Sequence, residues 1–299
     1  MRIKIITTVL FVILLITNLF AQDDDLMGLL DGEPTTEYAY ATFKSTHVVI
    51  GQSIENPAKG TMLMNIQHHF GPVNSGFYNF FGFDQATTRL GFSYGITNWL
   101  AVGIGRTTQN KTWDGSMKIK LLRQSSGART MPVSVSYYGL VGIISLKNPD
   151  DNRYSHFTSR MSFVNQLIIA RKFSSAFSLQ LIPSMVHYNL VETKQDDNDI
   201  YTLGAAGRIK LTNRLSFNFE YHYILSQQTA KEYHNSLSFG LDIETGGHVF
   251  QLFLTNSQGI TEQYFLPYTS GSWLNGDIHF GFNIVRTFTI VKPKEFAKY

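Results

Sequence analysis

Histidine is the residue type whose placement in this sequence most invites chemistry. Seven of the nine histidines (His68, His69, His156, His187, His222, His234 and His279) fall near the same end of the segments that carry them. Imidazole ligates transition metals or a haem-like group, and it changes charge close to neutral pH. Of these, His69, His156, His222, His234 and His279 share the phase of the polar faces, which makes them the candidate ligand-binding set at a mouth. His222 and His234 flank one loop and are placed to face each other, while His69 and His279 lie on the first and last strands. Polar, aromatic-sized groups also suit an interfacial rim, and no metal or cofactor is assigned to them.

A second set is charged. Arg89, Asp114, Lys118, Lys120, Arg160, Arg208, Lys210, Glu220, Asp242 and Asp277 all fall in polar phase. Lining a channel, they would set a selectivity field for a small polar or anionic solute; paired with one another, they would simply fill a narrow interior. Acidic residues Asp150, Asp151, Glu192, Asp196, Asp197 and Asp199 mark two loops and suit divalent cations, lipopolysaccharide or plain solvation. Serines and histidines abound, but no local motif marks a nucleophile, and there is no phosphate loop, HExxH or EF-hand pattern. The expectation is therefore no enzyme, with a membrane-embedded Ser-His hydrolase as an alternative. Cysteine is absent, which excludes thiol catalysis, disulfides and Cys-type metal sites.

The elements that must position these groups are strands. In residues 214–225, Leu215, Phe217, Phe219, Tyr221 and Tyr223 oppose Ser216, Asn218, Glu220 and His222. In 277–286, Ile278, Phe280, Phe282 and Ile284 oppose Asp277, His279, Gly281 and Asn283. Such period-two alternation makes two-faced strands. Strands are expected at 61–70, 84–96, 99–107, 111–122, 131–146, 157–173, 177–190, 200–211, 214–225, 233–244, 247–256 and 276–288. Two irregularities stand out: Asn165-Gln166 straddles both faces of its run, and Arg106 is in phase with apolar residues.

The connections alternate. Short turns at 97–99, 125–130, 174–176, 212–214 and 245–247 interleave with longer loops at 71–83, 147–156, 191–199, 226–232 and 257–275; the connection 108–110 is the brief exception. Short turns on one side and long loops on the other are the habit of an up-and-down transmembrane barrel, whose closure leaves no backbone group unpaired in lipid. Phe, Tyr and Gly are abundant, and charged residues make up only 16%. The fold class expected is all-β, an antiparallel barrel of about twelve strands.

Residues 1–21 read as a secretory signal peptide cleaved after Ala21: Arg2 and Lys4 precede an apolar run that ends at Leu19-Phe20-Ala21. Residues 22–60 are expected to be a periplasmic lead-in or a segment plugging the lumen, with 45–54 extended, either as an extra strand or folded into the lumen, and 61–299 the barrel. The formal charge is +3, and without Arg2 and Lys4 it falls to +1; a chain so near neutral gives no case for nucleic acid. The partners expected are outer-membrane lipid, lipopolysaccharide, an unknown small solute, and a periplasmic partner reached through residues 22–42.

Residues 43–123 also resemble a Bacteroidetes-type outer-membrane β-barrel family of unknown function. The likeness is carried by Thr42-Phe43-Lys44-Ser45-Thr46, His69-Phe70-Gly71, Phe81-Gly82-Phe83-Asp84, Arg89-Leu90-Gly91, Tyr94-Gly95-Ile96-Thr97, Gly103-Ile104-Gly105-Arg106, Lys111-Thr112 and Lys120-Leu121-Leu122-Arg123-Gln124. Phe250-Gln251-Leu252 and Leu254-Thr255-Asn256-Ser257 extend it. The resemblance implies an outer-membrane barrel and no particular activity. The function expected is a pore or uptake barrel for a small polar solute; a closed structural or surface-binding barrel is the other non-catalytic reading.

Overall fold

Period-two patterning does set the architecture. The computed structural model describes residues 35–147, 156–225 and 233–291. The expected signal peptide and most of the acidic lead-in lie outside the described residues, as do Asp150 and Asp151.

The strands are β1 (Thr36–Tyr38), β2 (Thr61–Pro72), β3 (Ala86–Gly95), β4 (Leu100–Thr107), β5 (Trp113–Leu122), β6 (Ser125–Gly127), β7 (Ser134–Ile143), β8 (Met161–Lys172), β9 (Phe177–Tyr188), β10 (Asp199–Lys210), β11 (Leu215–Ile224), β12 (Ser236–Thr245), β13 (His248–Thr255) and β14 (His279–Thr289). All except β1 and β6 form one closed antiparallel barrel in which chain neighbours are sheet neighbours. It closes by pairing β14 with β2, with Phe282 opposite His68 and a register shift between His279 and Gly281. These twelve barrel strands are those the alternation predicts.

Each strand buries one face and exposes the other. On β11, Ser216, Asn218, Glu220 and His222 are buried inside, and Tyr221 and Tyr223 are exposed outside. The exposed wall is rich in Leu, Ile, Phe and Tyr, as lipid contact requires. Arg106 does point outward, but it stands near the strand end with its guanidinium over the Trp113 ring, 5.6 Å from the centroid. Asn165 is outward too, and the Tyr137 hydroxyl donates to its Oδ1 at 2.5 Å. Both irregularities in the pattern are thus met by a local partner.

One rim carries the short turns and both described chain ends; we call it the turn end, and the opposite rim the loop end. The turn between β5 and β7 departs from expectation. Rather than a bare turn at 125–130, β6 pairs with β1 in a two-stranded sheet outside the barrel, with Tyr38 opposite Ser125. Arg123 covers the Tyr38 ring at 4.3 Å.

The interior is a packed core, half of it apolar. Leu140, Val164, Ile168, Ala170, Ile182, Val186, Ile200 and Ala206, from β7 to β10, face inward and are buried. Against them pack Phe43, Val48, Val49, Ile50 and Ile54 of the segment that precedes β2. Residues 45–54 are therefore neither a barrel strand nor a lead-in. They fold into the lumen as a plug, turned back on itself by a bridge between His47 and Gln52.

Candidate functional site

The other half of the lumen, β11 to β14 and β2 to β5, is polar, and its side chains, with Gln180 of β9 and Arg208 of β10, hold the plug by its backbone. Asn218 Nδ2 donates to Val48 O at 3.2 Å and Asn283 Nδ2 to Val49 O at 2.9 Å. Gln251 Nε2 reaches Val48 O at 3.1 Å, and Gln180 Nε2 reaches Gln52 O at 2.7 Å. Arg208 Nη1 donates to Ala41 O at 2.7 Å and Thr42 O at 3.0 Å. Lys118 Nζ gathers the carbonyls of Ser53 and Glu55 at 3.0 and 3.1 Å. At the turn end Lys44 pairs with Glu244, and Lys120 lies 3.9 Å from Glu55.

Glu220 reverses the polarity. Its carboxyl oxygens accept from Val49 N at 3.1 Å and Gly51 N at 2.9 Å, and one lies 2.6 Å from His222 Nε2. The His222 ring meets Phe265 edge-on at 5.3 Å. Gly51 is required here: a Cβ on it would stand 2.4 Å from Glu220 Oε1. Burying the Glu220 carboxyl is tolerable because both of its oxygens are paired. Arg89 is handled the same way, bidentate to Asp114 at 2.9 and 2.6 Å with Gln67 Oε1 at 2.9 Å.

A second insert enters from the loop end. Between β13 and β14 the chain dips inward, burying Ile260, Glu262, Tyr264, Phe265 and Leu266. The Tyr264 hydroxyl is 2.6 Å from Thr112 Oγ1, and the Tyr188 hydroxyl donates to Gln263 O. The two inserts touch where Gln52 Nε2 donates to Glu262 Oε1 at 3.0 Å. Between plug and wall remains a cavity of about 30 Å³ beside His47, Asn65, Arg89, Lys118 and Tyr138, room for a water or two. At the turn end a vestibule of about 390 Å³ beside Phe43, Lys44, Glu55 and Val285 stops at the plug.

Of the charges expected in the lumen, Asp114, Lys118, Arg208, Glu220 and Asp242 are buried there, and Arg89 is mostly buried beside Asp114. Lys120 and Lys210 are in inward phase at the turn end and half-buried. Two expectations need correction. Arg160 sits in the loop before β8, its guanidinium on Ile144 O and Leu146 O. Asp277 caps the loop before β14, accepting from Asn74 Nδ2 at 2.7 Å and Ser272 N at 3.0 Å. Both lie beyond a strand end, where alternation no longer fixes direction.

The histidines are dispersed by the same logic. His69 and His279 do point inward on adjoining strands, 3.2 Å from Ser257 O and 2.8 Å from Phe70 O respectively. His222 is sealed beneath the plug, whereas His234 is exposed in a loop with its backbone N–H on Thr269 O, so they do not form a facing pair. His156 is exposed in a loop rather than inward. His68 is on the outer wall, stacked on Phe282 at 5.1 Å. Among the described residues no group of three His, Asp or Glu is arranged to hold a metal ion.

What the sequence reading missed are the uncharged holders of the plug: Gln180, Asn218, Gln251, Asn283 and Gly51. Their inward phase was readable. That they grip backbone rather than solute was not.

No curated protein matches the chain. Among solved structures it is similar to the NanC porin (8% identity, TM-score 0.49, covering 76% of this chain and 100% of that one). It is also similar to the KdgM porin (9%, 0.45, 77% and 99%) and to the outer membrane protein Omp33 of Acinetobacter baumannii (9%, 0.39, 77% and 99%). One family model, described as "Membrane bound beta barrel domain (DUF5777)", matches residues 43–288, a span that takes in the plug, every barrel strand and the loop-end insert. The chain therefore belongs to this family of membrane-bound β-barrels.

Proposed function

We propose that this chain is an outer-membrane barrel shut along its length, working as a closed structural or surface-binding barrel rather than as an open pore. The observation that carries this reading is the core shared by plug and wall. Burying a large aliphatic or aromatic side chain is worth roughly 1.5–3 kcal/mol. Phe43, Val48, Val49, Ile50 and Ile54 together thus rival the ~5–15 kcal/mol that holds a whole domain folded. Withdrawing the plug would also wet the apolar strip of Ile168, Ile182, Val186 and Ile200. The rim of long loops faces outward from the cell and the turn end faces the periplasm, by the loop-length habit of such barrels.

One observation favours the uptake reading, in which a small polar solute passes once the plug moves. The polar half of the lumen binds the plug through main-chain groups, contacts that water or a hydroxylated solute would replace without repacking. The hydrolase reading has less support. On the outer wall His187 Nδ1 lies 2.7 Å from Asp199 Oδ1, but Nε2 faces Asn189 Oδ1 at 3.1 Å and no hydroxyl.

Planar-bilayer recording on the folded full chain tests the proposal. We expect a silent membrane at moderate voltage. Sustained single-channel steps would overturn the closed reading in favour of uptake.

A further inference from the structure

Between β2 and β3 the chain reads Gly-Phe-Tyr-Asn-Phe-Phe-Gly-Phe from Gly76 to Phe83, and it exposes its aromatic rings instead of burying them. Phe77 is 81% exposed and Tyr78 94%; Phe80, Phe81 and Phe83 are about half exposed. The loop is nonetheless fixed. Phe81 N donates to Gly76 O at 2.8 Å and Phe83 N to Phe80 O at 3.1 Å. Gly82 lies so close to the backbone of β2 that a Cβ would stand 2.3 Å from Gly71 O. Phe80 and Phe81 both hold positive φ, 45° and 54°, a region that residues with a Cβ avoid. A defined conformation that strains two phenylalanines in order to expose them calls for an apolar neighbour.

The rings point to which neighbour. Phe83 packs on Phe70 at 4.6 Å and Phe280 at 6.2 Å, and Phe80 on Phe83 at 5.6 Å. Phe70 and Phe280 belong to the outer face, since the residues beside them, His69 and His279, are buried inside. The loop therefore folds outward over the lipid-facing wall, not across the mouth. An adjoining loop does likewise: Trp273 Nε1 donates to Leu237 O at 2.9 Å and its ring lies edge-on to outward Phe239, leaving Leu274 98% exposed. Asn74 ties the two loops together through Asn275 O and Asp277. From Gly76 to Phe83 no residue is charged. A contiguous exposed apolar patch marks an interaction surface, and this one is continuous with the wall that meets the acyl chains.

We propose that residues 76–83, with Leu274, form an aromatic foot seated in the acyl region of the membrane leaflet at the loop end. It gives the barrel a one-sided hold on lipid, at β14, β2 and β3, beyond the ends of its strands. The occupant is lipid acyl chain, recognised by apolar contact alone.

Single-tryptophan fluorescence tests it. Trp99, Trp113 and Trp273 are replaced by Phe, and Tyr78→Trp is introduced into the full chain reconstituted in phosphatidylcholine vesicles. Phe282→Trp on the wall and Lys194→Trp in an exposed loop serve as references. With acyl-brominated phosphatidylcholine, the Tyr78→Trp probe is expected to be quenched about as strongly as Phe282→Trp, and shielded from acrylamide several-fold better than Lys194→Trp. Quenching by acrylamide at the Lys194→Trp level, with no effect of bromolipid, would overturn the proposal and leave the patch to a protein partner. Heat-modifiable gel mobility confirms folding, and Phe77→Trp serves as the second probe if Tyr78→Trp does not fold.

Discussion

Glu220 on β11 accepts the amide hydrogen of Gly51 at 2.9 Å, and the space between them leaves no place for a side chain. A methyl group there would stand 2.4 Å from Glu220 Oε1 and 3.3 Å from the Phe265 ring. Gly51→Ala is expected to cost about 1–3 kcal/mol through overpacking. It would show as a lower unfolding temperature in detergent and as faster proteolysis within residues 42–57, with the barrel strands still protected.

Asp114 is buried and gives both carboxyl oxygens to Arg89. Removing one partner strands the other in a dry interior, which costs about 3–5 kcal/mol. Asp114→Ala should therefore destabilise the barrel strongly in urea titration, and Arg89→Met combined with Asp114→Leu should restore much of the loss. Failure of the double variant to recover would mean that Gln67 and the neighbouring glycines depend on the guanidinium itself.

Leu241 faces outward in the middle of β12, paired with Leu252 and Phe217. A charge at the bilayer midplane costs about 2–4 kcal/mol, falling to about 0–1 near the interface. Leu241→Lys should lose about that much in folding free energy measured in vesicles. Leu237→Lys, nearer the rim on the same face, should lose less.

Asp277 is held below the usual carboxylate range first by the Ser272 N–H and then by the Asn74 amide. A depressed carboxyl stabilises its fold above its unfolded value of about 3.9, and that contribution fades as pH falls through the lower, folded value. The loop carrying Trp273 is therefore expected to loosen only below about pH 4, read as a red shift of Trp273 emission in a chain whose other tryptophans are Phe. Asp277→Asn should abolish the pH step.

The twelve barrel strands were legible because lipid outside and hydrogen-bonded plug inside impose opposite chemistries on alternate residues. Even the matched turns Ile96-Thr97-Asn98-Trp99-Leu100 and Leu211-Thr212-Asn213-Arg214-Leu215 fold alike, each returning two amides to the carbonyl of the closing leucine. Legibility failed where that contrast vanishes. Along β8, Leu167 and Ile169 face out while Ile168 faces in, so an apolar lumen reads as a patternless apolar run. It failed again past the strand ends, at His156, His234, Arg160 and Asp277, whose directions are set by loop hydrogen bonds. The plug's anchorage was hidden for another reason: Asn218, Gln251 and Asn283 bind carbonyl groups that every residue carries, so nothing in residues 45–54 advertises the match.

Gln52 and Glu262 meet in mid-lumen, yet the chain reaching Gln52 comes in through one mouth and the chain reaching Glu262 through the other. Neither insert crosses the barrel; each enters and leaves by its own mouth. Their junction makes the two rims mechanically continuous. A pull on the loop that carries Trp273 ends at the same amide that a pull on the amino-terminal chain would strain.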